Sequence, residues 1–137
     1  MLFIFDENLS ENLSSGLHTL EKGNTRSPHR ADVKFAPEVM GKRGATDEDI
    51  IPKVGELKGV LVTQDKDFIN KKHYFTLYRE HKVGIVLYTI SNKDVYWDKV
   101  KSFVRNWEDL KEKISETKPP FVLVIGKNGG VVHFRGF

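Results

Sequence analysis

Four short runs of apolar residues recur along the chain: residues 2–5 (LFIF), 59–63 (GVLVT), 83–89 (VGIVLYT) and 121–125 (FVLVI). A strand with one wet face alternates apolar and polar side chains. A continuous apolar run has to be covered on both sides. The stretches between most of these runs carry helical spacing, so strands and helices alternate. That pattern predicts an α/β fold, a three-layer α/β/α sandwich around a mostly parallel central sheet. At the end, residues 127–130 (KNGG) form a strong hairpin signal, which predicts that residues 131–134 return antiparallel beside 121–125. The 137 residues suffice for one domain and not for two ordinary ones. The expectation is therefore a single domain over residues 1–137, with residues 90–137 adding a long helix and the terminal β-hairpin.

Asn8 with Glu11 reads as a capping box, opening a helix whose inward face is Leu9, Leu13, Leu17 and Leu20, with Gly23 as its stop. Residues 23–30 are polar and unpatterned, a loop, and residues 32–36 are a weak strand. Thr46 with Asp49 caps a helix reaching about Leu57, in which Pro52 predicts a kink or an early end. After Phe68 a helix turns Tyr74, Leu77 and Tyr78 inward. Ser91 and Asp94 cap the longest helix, with Tyr96, Val100, Phe103, Trp107, Leu110 and Ile114 on its inner face and Pro119 and Pro120 after its end.

The chain has no cysteine, which removes disulfides, thiolate metal sites and a cysteine nucleophile. No apolar run approaches the roughly 20 residues that span a bilayer. The acidic residue at position 6 comes too early for a secretory signal, so none is expected. A soluble cytoplasmic protein without a membrane partner is expected. The net charge of +3 permits a nucleic-acid partner without requiring one.

In open parallel sheets, ligands bind beyond the carboxyl ends of the strands. Asp6 follows the first apolar run, and Asp65 and Asp67 follow the second. The first and third strands of such a fold commonly lie side by side, which would bring Asp6 to Asp65. Two carboxylates in a crevice repel each other unless one is protonated or a cation is shared. Oxygen donors alone suit Mg²⁺ or Mn²⁺. Asp47 and Glu48, at the start of a helix, supply further carboxylates, while Asp49 serves the cap. Carboxylates around one or two such ions are suited to phosphodiester hydrolysis. Lys42, Arg43, Lys66, Lys71 and Lys72 flank these positions and are candidates for phosphate contacts.

Each residue also has an ordinary structural explanation. Asp6 can simply end a strand, Asn8 can be a helix cap and nothing more, and Asp67 can cap the helix after a turn. Asp47 and Glu48 can complement a helix dipole, and each lysine can be solvated surface. No histidine pair has ligand spacing, and neither glycine-rich segment (residues 41–44 and 126–130) carries the phosphate-loop sequence. The combination of three acidic groups after strands and at a helix start, rather than any one of them, points to a metal site.

FIFDENLS, GATDEDI and VLVTQDKDF, in this order and spacing, resemble the PIN-like nuclease domains, and more narrowly the small branch found as toxins of toxin–antitoxin pairs. The resemblance runs from about residue 2 to residue 90. It implies an α/β/α sandwich, an acidic Mg²⁺ or Mn²⁺ site, endoribonuclease activity on RNA and neutralisation by a small antitoxin protein. In its terms Asp6 is the acidic residue closing the first strand, Asp47 the central one, Asp65 the one after the VLVT strand, and Asp67 the nearby position. Glu48 competes with Asp47, because many such domains carry a glutamate there. Residues 23–30 and the chain beyond 90 are longer than the pattern.

Two other readings fit parts of the sequence. A phosphoacceptor receiver domain would use Asp6, Glu7 and Asp65 with Thr89 and Lys127. It would leave residues 47–49 without a task and would need a helix where the hairpin signal stands. An inactive PIN-like binding module is the other. The aromatic stripe of the long helix is expected in the core, with part of it available to a homodimer.

Overall fold

In the computed structural model, which describes residues 1–90, 93–126 and 129–137, each apolar run becomes a strand. The order is β1 (Leu2–Phe5), α1 (Glu11–Glu21), β2 (Asp32–Phe35), α2 (Ala36–Met40), α3 (Asp47–Glu56), β3 (Val60–Thr63), α4 (Asp67–Asn70), α5 (Lys72–His81), β4 (Gly84–Tyr88), α6 (Tyr96–Glu116), β5 (Phe121–Ile125) and β6 (Val131–His133). The six strands form one sheet in the order β2-β1-β3-β4-β5-β6. The first five are parallel and β6 is antiparallel to β5, as expected. The hairpin signal falls partly on residues 127–128, and the expected Ser91 cap on residue 91, both outside the described residues.

The interior strands are apolar except for Thr63 at the end of β3, because both faces are covered. Phe3, Phe5, Val60, Val62, Val86 and Leu123 point into one core with Leu13 and Leu17 of α1 and Phe103, Trp107 and Leu110 of α6. Ile4, Leu61, Ile85 and Val122 point the other way, against Ile50, Ile51 and Val54 of α3, Phe68 of α4 and Tyr74 and Tyr78 of α5. Edge strand β2 alternates exposed and buried residues, which is why its sequence signal is weak.

Several expectations are corrected. Helix α1 starts at Glu11 with Ser10 as its N-cap, so Asn8 is not the cap. Leu20 and Tyr96 were expected inward, yet they are 69% and 45% exposed. Each lies near the end of its helix, where the apolar stripe runs past the neighbouring element. The segment after Phe68 is two helices, α4 and α5, with Phe75 buried alongside Tyr74 and Tyr78. Helix α2 was not anticipated, although Pro37 near its start and a left-handed Gly41 (φ 72°) at its end are ordinary helix punctuation. Thr46 caps α3 as expected, accepting the Asp49 N–H at 3.2 Å. Pro52 lies inside α3 without ending it.

Helices α1 and α6 are joined by a buried ionic cluster. Glu21 accepts Lys111 Nζ at 2.5 Å, Trp107 Nε1 at 2.7 Å, Asn24 Nδ2 at 3.0 Å and the Ala31 N–H at 3.1 Å. Lys111 is fully buried and also meets Glu108 at 2.8 Å. Burial opposes ionisation of Glu21, but Lys111, Asn24, Trp107 and the Ala31 amide outweigh it and bring its pKa down to about 2.

Candidate active site

The carboxyl ends of β1 and β3 lie side by side: Phe5 pairs with Val62, and the Asp6 N–H donates to Val62 O at 2.8 Å. The strand register thus carries Asp6 and the residues after β3 to one edge. Asp6 is buried at 6% exposure. Its Oδ2 accepts the Thr63 hydroxyl at 2.8 Å and its Oδ1 accepts the Glu7 N–H at 2.9 Å. Thr63 is fully buried and also accepts the Asp65 N–H at 3.1 Å, so one hydroxyl ties together the ends of both strands.

Asp65 sits in the turn after β3. Its Oδ1 accepts the Asp67 N–H at 2.9 Å, an Asx turn leading into α4, whose N-cap position is Lys66, so Asp67 does not cap that helix. Asp47 arrives from a third direction, the first turn of α3. There its Oδ2 accepts the Tyr74 hydroxyl of α5 at 2.8 Å. Gly55 permits this approach, because a Cβ at that position would collide with the backbone oxygen and Cβ of His81 at the end of α5.

The electrostatics bring these carboxylates into one group. Burial raises the pKa of Asp6, the Thr63 bond opposes the rise, and the charges of Asp47 and Asp65 add to it. Burial also raises Asp47, against the Tyr74 bond, with further contributions from Asp65, Glu48 and Asp67. Burial, then the bond and charge of Asp47, push the Tyr74 phenol well above its ordinary range, so it remains a donor at neutral pH. Among the described residues, no lysine, arginine or histidine forms an ion pair with Asp6, Asp47 or Asp65.

The other candidates lie outside this core. Glu48 faces His73 at 3.6 Å, with its side chain 54% exposed. Asp67 pairs with Lys71 at 3.2 Å. Arg43 pairs with Glu11 at 3.8 Å and lies over the Phe35 ring. Lys42, Lys66 and Lys72 are exposed. Thr89, which a receiver would need, donates its hydroxyl to Ile125 O at 3.0 Å, while Lys127 lies outside the described residues.

The sequence reading missed Thr63, Tyr74 and the place of Asn8. A hydroxyl closing an otherwise apolar strand must find a buried partner, and that signal pointed to Thr63. The Tyr74 contact depends on how α3 crosses α5 and leaves no local mark. Asn8 Nδ2 donates to Thr63 Oγ1 at 3.3 Å and Asn8 O accepts Gln64 Nε2 at 2.6 Å, so Asn8 buttresses the site instead of capping α1.

Among the described residues, no three of the acidic or histidine side chains are drawn close enough to enclose an ion by themselves. The donor set still fits a hard divalent cation. Mg²⁺ keeps several of its waters and is commonly held by one or two carboxylates. Carboxylates raised by burial, and further by neighbouring carboxylates, gain from a nearby cation.

No curated protein and no solved structure gives a significant match to the chain. The profile of the PIN-like domain matches residues 1–89, the stretch that carries Asp6, Asp47, Asp65, Thr63 and Tyr74. That match covers well over half of the chain and includes both strands whose ends bear the carboxylates. The chain therefore belongs to the PIN-like domain family, within the nuclease superfamily.

Proposed function

We propose that this protein is a metal-dependent endoribonuclease that hydrolyses RNA phosphodiester bonds at Asp6, Asp47 and Asp65. The observation that carries the reading is that Asp6 after β1, Asp47 of α3 and Asp65 in the turn after β3 are electrostatic neighbours, with no cation of the protein ion-paired to any of them among the described residues. Mg²⁺ or Mn²⁺ is the cofactor that this set suits.

Each side chain has a task in this scheme. Thr63 and the Glu7 amide fix both oxygens of Asp6. Tyr74 fixes one oxygen of Asp47, and the Asp67 amide fixes one oxygen of Asp65, which leaves the other for a ligand. When bound, the cation would polarise the scissile phosphate and lower the pKa of a water. Asp67 and Glu48 add negative charge at the rim. Lys42, Lys66 and Lys72, which are exposed, would meet flanking phosphates in this scheme, while Arg43 and Lys71 would first have to leave Glu11 and Asp67. RNA as the substrate, a small antitoxin protein as the partner and the toxin role follow from the resemblance of the three acidic motifs.

The test is cleavage of a labelled RNA with Mg²⁺, with Mn²⁺ and with EDTA, by wild type and Asp65→Asn. Cleavage that needs the metal and falls by roughly 10²–10³ in the variant, the scale of losing one charge-stabilising group, supports the reading. Equal cleavage by both proteins contradicts it. Growth arrest on expression, absent for Asp65→Asn, would support the toxin role.

A further inference from the structure

Two surface depressions, of about 170 and 180 Å³, share Leu13, Tyr96 and Val100 and so form one furrow between α1 and α6. Its near end is lined by Asn8 and Gln64, the residues that bond to each other and, through Asn8, to Thr63 beside Asp6. The furrow therefore ends beside residues that lead through Thr63 to Asp6, and none of Asp6, Asp47 and Asp65 lines it. Tyr96 and Trp97 stand in its wall as an exposed edge-to-face pair, ring centres 5.7 Å apart, with Trp97 64% exposed. Lys99 is the charged residue of the lining, which contains no acid. One helical turn beyond Trp97 on the same exposed stripe stands Lys101. Over residues 93–105 the cations Lys93, Lys99, Lys101 and Arg105 outnumber Asp94 and Asp98.

Exposed aromatic rings, local positive charge and amide side chains are what an unpaired polynucleotide strand binds. Its bases stack on the rings and its phosphates meet the lysines. A duplex cannot present its base faces in this way. We infer that the furrow is a binding track for single-stranded RNA, with Tyr96 and Trp97 stacking its bases. Both aromatics lie beyond the 1–89 family match, so the stacking wall comes from α6, while the opposite wall comes from α1 within the match. The inference rests on the ribonuclease reading for the choice of RNA, and it makes the enzyme selective for unpaired strands.

The test is binding in EDTA, where no metal-dependent cleavage occurs. A mixed-sequence single-stranded oligoribonucleotide and its duplex are titrated into wild type, Trp97→Ala and Trp97→Phe. Trp97 is exposed, so unchanged melting temperatures are expected for both variants. The single strand should quench wild-type tryptophan fluorescence. The other tryptophan, Trp107, is buried against Phe3 and should not respond. Anisotropy of labelled RNA should show binding about five- to a hundredfold weaker for Trp97→Ala, with most of the affinity kept by Trp97→Phe. Unchanged affinity in Trp97→Ala, equal binding of duplex, no binding by wild type, or a wild-type dimer that Trp97→Ala dissociates would each overturn the track. Quenching by the single strand without metal-dependent cleavage would support the track and refute the nuclease. Asp65-dependent cleavage with unchanged Trp97→Ala affinity would do the reverse.

Discussion

Glu21 and Asp6 are two buried carboxylates that this fold treats in opposite ways. Glu21 has four donors around it, one of them the buried ammonium of Lys111, and its pKa sits near 2. Asp6 has two neutral donors, a pKa raised by burial, and two further carboxylates as electrostatic neighbours. Burial acts against ionisation at both, so their partners make the difference. On the α1–α6 side the chain supplies its own cation. At the carboxyl edge of the sheet it gathers negative charge, and among the described residues Lys71 and His73 pair with Asp67 and Glu48 but form no ion pair with Asp6, Asp47 or Asp65. One site is complete as folded, and the other is the one for which we propose a cation from outside.

The sharpest way to break this contrast is to remove the internal cation. Lys111→Met should destabilise the fold by about 3–5 kcal/mol, because it strands Glu21 in the core, and Glu21→Leu in the same chain should restore most of the loss. Urea unfolding measures both, and a near-neutral single variant would show that Lys111 does not hold Glu21. The pH dependence follows from the direction of the Glu21 shift. Its folded value lies below the ordinary 4.5, so the ion pair contributes fully above about pH 4.5 and is lost as pH falls toward about 2. In Lys111→Met, stability should fall less steeply across that window.

A smaller effect is expected at the other site, with the sign depending on metal. Removing one charge by Asp65→Asn relieves Asp6 and Asp47, so the metal-free protein should gain about 1 kcal/mol. Wild type should gain about 2.7 kcal/mol when Mn²⁺ is present at a hundred times its dissociation constant, and the variant should gain little. Melting curves with and without Mn²⁺ read both. A metal-free Asp65→Asn less stable than wild type would remove the claim of uncompensated charge.

The least change is expected from Tyr74→Phe. It deletes one hydrogen bond to Asp47 and should cost about 1 kcal/mol by denaturant unfolding. It should slow cleavage less than Asp65→Asn does, because it loosens a carboxylate without removing it.

What the sequence disclosed follows from the range of the interactions. Residues 2–5, 59–63, 83–89 and 121–125 declared their strands because two-sided burial writes itself into consecutive residues. Asp6 and Asp65 could be paired because parallel order and strand ends are fixed by the same pattern. Leu20 and Tyr96 were placed inward because periodicity marks a stripe and not where its cover stops. The Glu21–Lys111 pair spans 90 residues, and the Tyr74–Asp47 bond spans 27, so neither leaves a local signature. Asn8 was misassigned because an N-cap and a buttress between two strand ends call for the same short amide. Its true partners, Thr63 and Gln64, stand more than 50 residues away.

The claim that the carboxyl edge awaits a cation is tested most directly by calorimetric titration of metal-free protein with Mn²⁺ at neutral pH. The account predicts one or two saturable equivalents for wild type and loss of that binding in Asp65→Asn, with the fold intact by circular dichroism. No saturable binding by wild type, or the same isotherm for both proteins, would contradict it.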